Sequence, residues 1–184
     1  SEIKHNAETI CNMVYPSKVM AVVKADGFGH GLVETAKAAL KGGVSNLGVA
    51  ILDEGIALRR SGVKAPILLL STIQPRFAEL AYDNNLSVAL CTLDLAKAFS
   101  NLKIGNNKII NVHVKVNTGL NRIGVNVKDT INFIKTIKNY KQINIEGIFT
   151  TFADPDNLDT SYSVKQFKTF VELLKEIKNE GINI

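Results

Sequence analysis

The chain has no tryptophan, only four prolines and only two cysteines among its 184 residues. Cys11 and Cys91 stand far apart, with no metal-ligand spacing around either. Nothing therefore points to a disulfide framework or a structural zinc site, and two free thiols in a reducing, cytoplasmic compartment are the expectation. No apolar run is long enough to span a bilayer, so no membrane is expected. The formal charge of +5 comes from scattered lysines, without a basic run or an aromatic-interleaved basic patch. A solvated mixed surface follows, and nucleic acid is not an expected partner. What remains is 46% hydrophobic and 21% charged, the composition of an ordinary globular chain long enough to bury a core.

Short apolar runs alternate with segments of helical period, and no long linker or low-complexity stretch interrupts them. This is the pattern of parallel βα units in one domain over 1–184. Strands are predicted near 19–24, 47–52, 67–71, 87–91, 109–117 and 145–150. A helix near 3–14 carries Ile3, Ile10 and Met13 ahead of Pro16. The next starts after Gly31, buries Leu32, Ala36 and Leu40, and ends at Gly42-Gly43, where glycine supplies a left-handed cap. Another runs from Asp53 to Ser61 and stops at Gly62. The last is the most regular, with Val164, Phe167, Val171, Leu174 and Ile177 on one stripe.

Six such units fit a doubly wound open sheet or most of an eight-stranded barrel. A nucleotide-binding open sheet calls for G-x-G-x-x-G after its first strand, and Gly27-Phe28-Gly29-His30-Gly31 has a different spacing. The fold class expected is α/β, a partial (β/α)8 barrel of the TIM type with about six βα units. The chain begins at Ser1 and stops at Ile184 just after a predicted helix end, which suggests that the last strands lie beyond it.

Lys24 closes the apolar run Val19-Met20-Ala21-Val22-Val23 and opens the turn Ala25-Asp26-Gly27-Phe28-Gly29-His30-Gly31. An amine at the carboxyl end of a buried strand loses part of its hydration, which suits a lysine that attacks a carbonyl to form a Schiff base. A lysine that merely caps a strand at the surface is the alternative. In the strand 109–117, Ile110, Val112, Val114 and Val116 point one way while His113, Lys115 and Asn117 point the other. A polar barrel interior costs desolvation unless those groups are paired or serve a ligand; an edge strand with one solvated face is the other reading. Then follows Asn117-Thr118-Gly119-Leu120-Asn121-Arg122-Ile123-Gly124-Val125, a loop with one arginine among its glycines. The guanidinium is a planar, permanently charged fork suited to a carboxylate or a phenolic oxygen. His30 reads as a loop-ordering residue and His5 as a helix-surface one.

Three segments in order carry a resemblance to the alanine racemase family, enzymes that use pyridoxal 5'-phosphate (PLP) on an α/β barrel. Lys24 to Gly31 resembles the family's cofactor-lysine motif, and Asn117 to Val125 its arginine motif. Ile145-Glu146-Gly147-Ile148-Phe149-Thr150-Thr151-Phe152-Ala153-Asp154, followed by Gln166-Phe167 and Phe170, is similar to its sixth-strand segment. Asp53 to Gly62 fits as well.

The resemblance implies a PLP-dependent racemase interconverting L-alanine and D-alanine for peptidoglycan synthesis, cytoplasmic and homodimeric, acting on a small amino acid. It makes Lys24 the catalytic and cofactor-bearing residue. Arg122 becomes the contact for the cofactor phenolate oxygen and the substrate carboxylate. Lys115 stands where some members carry a carbamylated lysine that orients this arginine. Asn117 replaces the family's aspartate, Thr151 a histidine against the cofactor ring, and Phe28 a tyrosine whose hydroxyl reaches the phosphate, a bond phenylalanine cannot make. Thr151 and Phe28 keep open an inactive PLP-binding module. A racemase or decarboxylase for another amino acid is the second alternative. The family's second base is a tyrosine from a carboxyl-terminal β-domain of the partner subunit, so residues 1–184 alone are expected to be inactive.

Overall fold

The computed structural model describes residues 1–103 and 109–184. These residues form two compact units, Ser1–Ile73 with Glu79–Val88, and Gln74–Ala78 with Ala89–Ile184. Among them no helix is long and apolar enough to cross a membrane.

The first unit is a parallel sheet of short strands connected by helices. β1 (Met20–Val22) pairs with β2 (Asn46–Val49), and β2 with β3 (Ile67–Leu69). A short helix, α5 (Ala78–Asp83), precedes β4 (Ser87–Leu90), whose start continues the sheet, Ser87 opposite Leu68 and Val88 opposite Leu69. Leu47, Val49, Leu69 and Val88 are fully buried, as expected for parallel strands covered on both faces.

Helix α1 (Glu2–Met13) forms where a helix near 3–14 is predicted. Ile10 and Met13 are exposed, and its buried residue is Ala7, which joins Ala39 and Val44 in a small core with Cys11, Val19 and Ala21 packed on it. The reason is a close approach. A Cβ on Gly42 would lie 2.6 Å from both the Ala7 Cβ and the Lys4 carbonyl oxygen, so α1 can present only a small side chain there.

α3 (Leu32–Lys41) buries Ala36 and Ala39, while Leu32 and Leu40 are only half-buried. It ends as the sequence predicts, with Gly43 at φ 92°. α4 (Leu52–Arg60) packs so tightly on Leu86 that a Cβ at Gly55 would come within 2.9 Å of it. Its Arg59 guanidinium donates to the carbonyls of Val63, Ala65, Asn84 and Asn85, and Nε to Asn84 supplies one of these bonds. Burial pushes the Arg59 pKa below its ordinary value.

In the second unit β5 (Ile110–Asn117) is flanked by two parallel partners, β6 (Val125–Asn126) and β7 (Ile143–Phe149). The valine face of β5 is the buried one, with Val112 and Val114 fully enclosed. Opposite the Val112–His113 step, β7 bulges, so that Ile145 faces Val112 and Gly147 faces His113. α6 (Leu93–Ser100), α7 (Val127–Ile137) and α8 (Ser161–Asn179) complete this unit.

The described residues hold seven strands rather than the six predicted, because β6 is two residues long and carries no period for a pattern to reveal. The buried face of α8 consists of Gln166, Leu173 and Ile177, whereas Val164, Phe167 and Leu174 are exposed. A fully satisfied glutamine occupies the inward position near the start of the helix, so the apolar stripe is rotated off the packed face.

Candidate active site

Lys24 lies just past the end of β1 and is half-buried. It opens α2 (Lys24–Phe28), a single turn of left-handed hand. Ala25, Asp26, Gly27 and Phe28 have φ of 51°, 54°, 61° and 56°. Three non-glycine residues in this region cost about 1–2 kcal/mol each, so the turn persists only where its surroundings over-determine it.

The holding contacts are specific. Gly27 N donates to the Val23 carbonyl at 2.9 Å, and Gly31 N to the Asp26 carbonyl at 2.9 Å. The Asp26 carboxylate accepts from Leu32 N at 2.8 Å and so caps α3. Glu54 accepts from Ala25 N at 2.7 Å. Gly27 is required twice over, since a Cβ there would lie 2.4 Å from Thr35 Oγ1. Phe28 is 63% exposed, and its ring centroid is 6.0 Å from Lys24 Nζ, at the outer limit of a cation–π contact. His30 is exposed in the loop that follows.

The second unit holds the other sequence-derived residues. Lys115, only 4% exposed, places Nζ 5.3 Å from the Phe149 ring centroid. His113 meets the same ring edge-on at 6.4 Å, and its Nε2 lies 3.3 Å from a Glu146 oxygen. The polar face of β5 is thus packed against Phe149, with partners for its charges.

Asn117 closes the arginine loop. Its Oδ1 accepts from Gly119 N and Asn121 N at 3.1 and 2.9 Å, while Nδ2 donates to Asn121 Oδ1 at 3.0 Å. A carboxylate could accept the first two but could not donate the third. Asn121 sits at φ 56°, and Gly124 lies so near the backbone that a Cβ would come 2.7 Å from Asn117 N. Arg122 is exposed at the tip, and among the described residues its guanidinium takes no side-chain hydrogen bond. It is displayed rather than spent on the fold.

Thr151, half-buried, follows β7, and a buried chain of hydrogen bonds fixes its backbone. Gln166, fully buried, donates from Nε2 to Thr118 Oγ1 at 3.1 Å and to the Thr151 carbonyl at 3.2 Å, and accepts from Ala153 N at 2.9 Å. Thr118 and Thr150 hydroxyls are 2.8 Å apart, and Thr150 donates to the Val116 carbonyl at 2.9 Å. Each hydroxyl has one proton, so the direction is determined: Gln166 to Thr118 to Thr150 to Val116. Tyr162 adds a bond from its hydroxyl to the Gly119 carbonyl at 2.8 Å.

The sequence alone marks Lys24, Phe28, Lys115, Arg122 and Thr151. The hydrogen bonds of Glu54, Thr118, Thr150, Tyr162 and Gln166 join segments far apart in the chain, and only the fold shows them. Glu54 alone had a local signal, as an acidic residue at the third position of a helix, the place from which a carboxylate reaches back to the cap.

Residues 1–184 match the profile described as alanine racemase, N-terminal domain. An alanine racemase of Desulforamulus reducens is 40% identical over 182 residues, covering 98% of this chain and 49% of its own length. Among solved structures, the alanine racemase of Clostridium difficile in complex with cycloserine superposes with a TM-score of 0.91 at 30% identity, over 100% of this chain and 50% of that one. The alanine racemase of E. faecalis gives 0.88 at 40% identity, over 94% and 47%. The chain spans about half the length of the curated relatives it matches. Its parallel βα units are those of the barrel that these racemases share, and the chain belongs to the alanine racemase family, of which it carries the N-terminal domain.

Proposed function

We propose that the full-length protein is a PLP-dependent racemase that interconverts L-alanine and D-alanine. The observation that carries this reading is Lys24, a half-buried amine at a strand end, mounted on a left-handed turn that costs free energy to hold. A surface lysine that only capped a strand would not call for such a turn. The amine suits an aldehyde cofactor, and the displayed Arg122 fork suits an anionic oxygen, so the residues present fit PLP.

When bound, PLP supplies an electron sink that acidifies the Cα–H of an attached amino acid. Lys24 then carries two tasks. Its Nζ holds the cofactor, and it takes or returns the Cα proton on one face of the substrate. Arg122 binds the cofactor phenolate oxygen and orients the substrate carboxylate through its parallel N–H groups. Lys115, enclosed beside Phe149, would orient the Arg122 guanidinium, in carbamylated form or through intervening groups. Thr151 lies where the family has a ring-facing histidine, and Phe28 leaves the phosphate to other donors. A tyrosine of the partner subunit in a homodimer serves the opposite face. The product would supply peptidoglycan synthesis in the cytoplasm.

The test is covalent trapping in the full-length protein. Borohydride reduction followed by peptide mass spectrometry is expected to place the cofactor on Lys24, and purified enzyme is expected to equilibrate either alanine enantiomer. Label on a different lysine, or cofactor bound without any label, would remove Lys24 from this role.

A further inference from the structure

Three backbone amides converge on one carboxylate beside the lysine. Glu54 Oε1 accepts from Ala25 N at 2.7 Å, and Oε2 accepts from Ala50 N at 2.8 Å and Ile51 N at 3.2 Å. The first amide belongs to the peptide that directly follows Lys24. The other two follow β2, which pairs with β1 through Met20↔Asn46, Ala21↔Leu47 and Val22↔Gly48. Glu54 itself sits in the first turn of α4, whose backbone is anchored by the buried Gly55 and Leu58. One side chain therefore joins the lysine's own peptide to the end of the neighbouring strand.

This contact matters because of where the strain lies. Lys24 is the last residue before the backbone enters the left-handed region at Ala25. The amide that Glu54 holds is the hinge between ordinary strand and strained turn. A charge-assisted bond of 2.7 Å to an N–H is at the strong end for such contacts. Without it, the Lys24–Ala25 peptide could rotate toward an unstrained conformation, and the amine would move with it.

On the reading of Lys24 as the cofactor lysine, we propose that Glu54 is a positioning residue for that lysine. It acts through the Ala25 amide and has no direct part in proton transfer. The design is a two-ended clamp, with Oε2 on the β2 end and Oε1 on the lysine turn.

Glu54→Gln in the full-length protein separates the two ends. The single amide oxygen has two donors to satisfy at Ala50 and Ile51 and one at Ala25, so it settles on the pair and turns its NH2 toward the Ala25 N–H. Hydrogen exchange, read amide by amide without cofactor, is expected to speed at least tenfold at Ala25 and stay within threefold at Ala50 and Ile51. With cofactor, the same variant is expected to lose at least tenfold in turnover with little change in KM, and to release PLP faster after dilution. Glu54→Asp keeps the charge but is one carbon too short to span both ends, so it should show the same pattern rather than rescue it. Ala25 exchange and PLP release both unchanged in Glu54→Gln would overturn the clamp. Wild-type protein that fails to trap PLP on Lys24 would instead refute the functional reading, while the Ala25 exchange result would still decide whether Glu54 holds the turn.

Discussion

Gln166 Nε2 donates to Thr118 Oγ1 across 3.1 Å, a bond from the inward face of α8 to the residue that leads β5 into the arginine loop. The same amide reaches the Thr151 carbonyl and the Ala153 N–H, so one fully buried side chain ties together the segments after β5 and β7. Hydrogen bonds in series polarise one another, and a buried network of this kind is strong only while every member is paired.

Replacing Gln166 by Leu keeps the volume roughly constant but strands the Ala153 N–H and the Thr151 carbonyl. Ala153 is exposed and Thr151 half-buried, so water takes over part of both bonds, and a loss of about 1–2 kcal/mol is expected. Denaturant unfolding of the full-length protein measures it. A loss within about 0.5 kcal/mol of zero would mean that the network contributes nothing beyond packing.

Gly27 gives a second stability test, because its φ of 61° and its contact with Thr35 penalise any side chain. Gly27→Ala is expected to cost about 1–2 kcal/mol from the backbone alone, with the collision against Thr35 Oγ1 added to it. That hydroxyl is buried without a hydrogen-bond partner, so Thr35→Ala by itself should be close to neutral. The double variant should then be more stable than the two single costs predict by addition, a coupling that thermal melts of all four proteins would reveal. Strict additivity would show that the clash is relieved by backbone movement instead.

Arg122→Lys keeps the charge of the exposed loop tip but loses the planar fork. Turnover of alanine by the full-length enzyme is expected to fall well over tenfold, more than about 1.4 kcal/mol of transition-state stabilisation. The melting temperature should stay near that of wild type, since the guanidinium is not used by the fold. Unchanged turnover would exclude Arg122 from the site.

The sequence by itself determined the βα alternation, the helix ends at Gly43 and Gly62 and the alternating faces of β5, and it singles out Lys24 and Arg122 as candidates for chemistry. Those features are local. Apolar period, glycine at positive φ and a lysine at a strand end are written in neighbouring residues, and physical chemistry reads them without knowing what lies across the chain. Tertiary structure alone decided which face of α1 and α8 is buried, because Gly42 admits only Ala7 and Gln166 has its partners on two distant loops. It also decided the left-handed hand of the lysine turn and the part Glu54 plays in holding it, a contact across 29 residues of sequence. Such pairings depend on sheet register and close backbone approach, which a periodicity does not encode.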